Sequence, residues 1–80
     1  MSGVLPVVSG KQAVAALGRI GYEPERMRGD HQILKHHGKL ERPSAYRTVA
    51  VPMHRELARG TLAGILRRVG LSPDEFRALL

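Results

Sequence analysis

Apolar residues recur along this chain at three-to-four-residue intervals near its two ends and at shorter intervals in between. Near the N-terminus, Ala13, Val14, Ala16, Leu17 and Ile20 form a stripe at helical spacing. Ser9 and Gln12 ahead of it have the spacing of a capping box, in which hydroxyl and amide each satisfy a free backbone N–H. Val8 before the cap and Ala13 after it are placed to form a small hydrophobic staple, and Gly21 is a natural left-handed stop. These signals predict a helix over about residues 10–20.

The periodicity then changes. Tyr22 to Arg28 reads as a strand, with Pro24 confining it to an edge or delaying its start. Gly29-Asp30 is a candidate two-residue hairpin turn, although Asp-Gly is expected to be the stronger order, and His31 to His37 follows as a second strand around Ile33 and Leu34. The polar stretch Gly38 to Tyr46, with Pro43 and Ser44, predicts a loop longer than a tight hairpin needs. Arg47-Thr48-Val49-Ala50-Val51 alternates and is β-branched, a third strand ended by Pro52. After a charged connection, Leu62, Ile65, Leu66 and Val69 mark one face of a helix. Thr61 or Gly60 is expected to cap it and Gly70 to end it. A last short helix begins at Ser72, with Pro73 at its first position and Glu75 completing a second capping box. The order helix, three strands, helix, short helix implies an α+β fold with helices on one face of a three-stranded antiparallel sheet.

Eighty residues suit a single domain spanning 1–80, with a core of about residues 9–76. A chain this short buries only roughly 60% of its unfolded surface. With three aromatics (Tyr22, Tyr46, Phe76), the core is expected to be aliphatic. The absence of cysteine excludes disulfides and thiolate zinc sites and fits a cytoplasmic location. No apolar run approaches the ~20 residues of a membrane span, and Met1 to Val8 lacks the pattern of a signal peptide.

Charge changes the picture. Arg26 to Arg68 holds ten basic residues against three acidic ones, whereas the remainder of the chain is slightly acidic. Basic charge concentrated across the middle suits a phosphodiester backbone, through counterion release. Within this segment His31 falls at the hairpin tip, in Arg28-Gly29-Asp30-His31-Gln32. Imidazole is the side chain suited to acid–base work near neutral pH. RNA carries its own nucleophile, so one histidine and nearby cations could cleave it without a metal. In that reading Arg28 and Lys35 hold the phosphate, Gly29 lets the backbone approach, and Asp30 orients the ring or holds the turn. The plainer reading is an exposed hairpin histidine without a role.

Other features carry less. His36 and His37, adjacent on a strand, point to opposite faces and cannot chelate one metal, and no zinc-ligand spacing occurs. No metal or small-molecule cofactor is expected. His54 reads as a loop residue, or as a second acid–base group if its loop folds back. Arg59-Gly60-Thr61 opens a helix, where free N–H groups bind anions as readily as they are capped. Arg67 and Arg68 leave the apolar face and read as a solvated rim or a partner contact. No phosphate-binding glycine loop is present.

Taken in order, Ser9-Gly10, Gly21-Tyr22, Arg28-Gly29-Asp30-His31, Val49-Ala50-Val51-Pro52, Arg59-Gly60-Thr61-Leu62, Ile65-Leu66-Arg67, Gly70-Leu71-Ser72 and Glu75-Phe76 form a pattern. It resembles the HicA family of small toxins over about residues 9–76. The resemblance implies a fold like the double-stranded-RNA-binding domain, α-β-β-β-α. It also implies metal-independent endoribonuclease activity on messenger RNA and a HicB-type antitoxin covering the active site. The family's catalytic histidine follows a glycine and usually a serine, which places that role on His31. Here Asp30 stands where serine is common, and its carboxylate would repel phosphate unless it turns to the imidazole. The rival reading is a non-catalytic double-stranded-RNA-binding module of the same element order, needing no hairpin histidine.

Overall fold

The computed structural model describes residues 4–42 and 44–80. Met1 to Gly3, at the start of the segment read for a leader, and Pro43 of the long loop lie outside the described residues. The chain forms α1 (Gly10–Gly18), β1 (Tyr22–Arg28), β2 (His31–His36), β3 (Thr48–Pro52), α2 (Arg59–Val69) and α3 (Pro73–Ala78). This is the α+β order expected, with an antiparallel sheet ordered β1-β2-β3.

Both capping boxes form. Ser9 Oγ accepts from Gln12 N–H while Gln12 Oε1 accepts from Ser9 N–H, and Ser72 and Glu75 do the same at α3. Gly70 takes positive φ (74°) as the left-handed cap of α2, as expected, whereas α1 ends at Gly18 with Arg19 as a right-handed cap, and Gly21 (φ 103°) closes the turn that leads into β1. The second helix differs from expectation at its start: its cap is Ala58, with no side-chain bond, not Gly60 or Thr61. Its entry is fixed earlier, because buried Leu57 donates its N–H to Val8 C=O and Leu62 N–H already reaches Ala58 C=O. Gly60 and Thr61 therefore sit inside the first turn.

Pro24 is accommodated on edge strand β1, where the pairing with β2 shifts by one residue between Pro24 and Arg26. The Gly29-Asp30 turn has φ +60° at glycine and no positive φ at aspartate. That matches a type II′ turn, which needs glycine first, so Gly-Asp is the fitting order here.

Leu34, Val49 and Val51 point from the sheet into a core built with Ala13, Ala16, Leu17, Leu62, Ile65, Leu66 and Val69. The core is not purely aliphatic: Tyr22 and Phe76 are its largest fully buried side chains. Tyr22 is tolerated there because its hydroxyl donates to Tyr46 C=O at 2.6 Å. His36 is buried too, edge-on to Tyr22, with Nε2–H donating to Ile20 C=O at 3.0 Å.

Candidate active site

Strand alternation decides where His31 points. Leu34, Val49 and Val51 face the core, so the odd positions of β2 (His31, Ile33, Lys35) and the even positions of β3 (Thr48, Ala50, Pro52) share the opposite face. His31 pairs across the sheet with Arg28 on one side and Pro52 on the other, and its side chain is about half exposed.

The connection after β3 folds back onto the hairpin tip. Met53 N–H donates to Asp30 C=O at 2.7 Å, extending the β2–β3 ladder by one pair. His54 C=O accepts from Gly10 N–H at 2.9 Å, which docks the first turn of α1 beneath the same segment. This brings His54 to Asp30. The Asp30 carboxylate bridges two imidazoles, with Oδ1 2.8 Å from His31 Nδ1 and Oδ2 2.8 Å from His54 Nε2. These bonds, the His54 one foremost and the His31 one next, hold the Asp30 carboxyl below the ordinary aspartate pKa.

An ionised carboxylate only accepts hydrogen bonds. The ring nitrogen facing it therefore carries the proton: Nδ1–H in His31 and Nε2–H in His54. A neutral His31 then holds its lone pair on Nε2, the nitrogen turned away from Asp30. The aspartate is thus turned to imidazole, with one carboxylate oxygen on each ring.

His31 lies at one end of an open groove of about 480 Å³ between β3 and α2. Ala50 and Pro52 form the sheet side, and Gly60, Thr61, Gly64, Ile65, Arg67 and Arg68 form the helix side. Two cations converge above Gly64: a Cβ there would stand 3.1 Å from Arg68 Nη1 and 3.7 Å from Arg67 Nη2. No carboxylate among the described residues pairs with either. Like charges brought this close favour an anion between them. The groove thus presents an imidazole at one end and paired guanidinium groups along its wall.

The residues expected to hold phosphate divide. Thr61 lines the groove with His31, and Gly29 and Asp30 form the adjoining turn. Arg28 sits beside His31 on β1, outside the groove wall. Lys35 lies further along β2 and approaches Glu25 at 4.0 Å, while Arg59 is exposed at the start of α2 and does not line the groove. Conversely, Arg67 and Arg68 form part of the groove wall, and His54 belongs to the hairpin site because its loop does fold back. The spacing of Gly64 to Arg67 and Arg68, one helical turn, is the sequence signal for the first two. For His54 the sequence offers only Pro52 ending the strand two residues earlier.

No group of three or more His, Asp or Glu among the described residues has the arrangement of a metal site. Among the same residues, no helix is long and apolar enough to cross a membrane. No curated protein and no solved structure matches the chain significantly. A family model described as the HicA toxin of bacterial toxin–antitoxin systems matches residues 10–71, more than three-quarters of the sequence. Its span runs from the glycine docked under His54, through the Gly29-Asp30-His31 turn and the α2 groove wall, to Leu71. The chain belongs to the HicA toxin family.

Proposed function

We propose that this toxin is a metal-independent endoribonuclease that cleaves messenger RNA in the cytoplasm, with His31 as its general acid–base group. The observation that carries the proposal is the Asp30 Oδ1–His31 Nδ1 bond at the end of a groove walled by Arg67 and Arg68. It leaves His31 Nε2 free to act as a base. In the reaction, Nε2 takes the proton from a ribose 2′-hydroxyl as that oxygen attacks phosphorus. The 2′-oxygen–phosphorus bond forms, the phosphorus–5′-oxygen bond breaks with its electron pair on the 5′-oxygen, and the imidazolium returns the proton to that oxygen. The products are a 2′,3′-cyclic phosphate and a 5′-hydroxyl. Arg67 and Arg68 offset the charge that develops on the phosphoryl oxygens. Thr61 and the first-turn N–H groups of α2 supply further donors, and Arg28, Gly29, Lys35 and Arg59 guide the flanking strand. A HicB-type antitoxin held over the groove would silence the enzyme.

Long RNA incubated with the purified chain in a chelating buffer tests this. The expected result is fragments ending in 2′,3′-cyclic phosphate and 5′-hydroxyl. RNA that is bound but stays intact would establish the non-catalytic binding module instead.

A further inference from the structure

We infer that His54 is a positioning residue for His31, acting through Asp30 and anchored by the first turn of α1. This rests on the nuclease reading for its kinetic consequence but not for its structural one.

Asp30 sits at an exposed turn tip, and a lone carboxylate there would rotate freely in water. His54 removes that freedom by donating Nε2–H to Oδ2, which leaves Oδ1 aimed at His31 Nδ1. Exposed pairs of this kind contribute little to stability. Their consequence is orientation: one oxygen per imidazole, and a single tautomer for each ring.

His54 is itself held from behind. Its carbonyl accepts from Gly10 N–H at 2.9 Å, and Met53 N–H binds Asp30 C=O at 2.7 Å. The approach of α1 is so close that a Cβ on Gly10 would lie 2.1 Å from Pro52 O and 2.9 Å from Met53 Cα. Both are backbone atoms and cannot swing aside. Glycine at position 10 is therefore what lets the helix seat against residues 52–54. The connection runs Gly10 to His54 to Asp30 to His31, and it needs both histidines and the aspartate. Serine at position 30 would have one oxygen to offer where the bridge uses two.

The test compares wild type, His54→Ala and His54→Gln. Glutamine keeps an N–H near the position of Nε2. Nitrogen-15 NMR of the histidine rings reads the His31 tautomer without any substrate. Wild type and His54→Gln are expected to hold His31 with its proton on Nδ1, and His54→Ala to lose that preference. On RNA, kcat/KM is expected to fall on the order of tenfold in His54→Ala, the lower end of what losing the partner of a metal-ligating histidine costs, and to recover in His54→Gln. An unchanged His31 tautomer in His54→Ala overturns the inference. So does restoration of His54→Ala by a 5′-phosphorothiolate linkage, whose leaving group needs no proton, because His54 would then be a proton donor. If His54→Ala loses the tautomer that wild type holds but wild type cuts no RNA, the nuclease reading fails while the positioning role stands.

Discussion

Asp30 and His54, twenty-four positions apart in sequence, meet at 2.8 Å, while the other carboxylate oxygen of Asp30 meets His31 at the same distance. Both carboxylate oxygens of Asp30 are thereby consumed in a bridge between the two imidazoles. On this geometry Asp30→Ala should reduce RNA cleavage more than RNA binding, and Asp30→Asn should fall between Asp30→Ala and wild type, because an amide oxygen can still accept from one ring. Initial-rate measurements alongside filter binding separate the two effects.

The same bridge sets a pH limit. The folded Asp30 carboxyl titrates below its ordinary value of 3.8, so its contribution is present above that value. It is lost only as pH falls through the lower, folded pKa. Proton titration of Asp30 by carboxyl-detected NMR should therefore show a midpoint below 3.8 in wild type and a return toward it in the His54→Ala, His31→Ala double variant.

Arg67 and Arg68 face the groove without a carboxylate partner among the described residues. Replacing either with Ala should weaken RNA binding evenly across sequences. The slope of log affinity against log salt should drop by about 0.7 for each phosphate of a single strand that is no longer neutralised. A slope that stays unchanged in both variants would remove these arginines from the interface.

Seating α1 against the site predicts a stability effect remote from the imidazoles. Gly10→Ala forces its Cβ onto Pro52 O, an overpacking that typically costs about 1–3 kcal/mol. For a domain of this size, each kcal/mol lowers Tm by roughly 4–8 °C. Gly18→Ala, whose Cβ would meet nothing within 4 Å, should be neutral or stabilising. Thermal unfolding of the two variants makes the comparison.

Tyr22 provides a check on the core. Its ring is buried and its hydroxyl reaches Tyr46 C=O, so Tyr22→Phe should cost about 0.5–1.5 kcal/mol, the net worth of one hydrogen bond. Chemical denaturation with an unchanged m-value would show that the variant loses that bond and nothing else.

The helices and the hairpin are legible in the sequence because their signals are local. Ser9 with Gln12 and Ser72 with Glu75 are three residues apart, and the hairpin turn is two residues long. The start of α2 is not legible, because the tertiary hydrogen bond of Leu57, rather than side-chain capping, sets it. The aromatic part of the core escapes notice because nothing local to Tyr22 reveals that Tyr46 C=O awaits its hydroxyl. His31 is visible from its turn and its neighbours. His54 is not assignable, since its role depends on a fold-back made by backbone bonds from Met53 to Asp30 and from Gly10 to His54. Arg67 and Arg68 read as rim because a helical wheel shows which face is apolar but not which strand the polar flank approaches.

The most direct measurement compares wild type with His31→Ala on a long RNA in the presence of a chelator, following cleavage and binding together. Wild type should cut, and His31→Ala should lose on the order of a hundredfold or more in rate, the usual share of a general acid–base group, while still binding RNA. Cleavage by His31→Ala at the wild-type rate would contradict the assignment of His31 as the catalytic group.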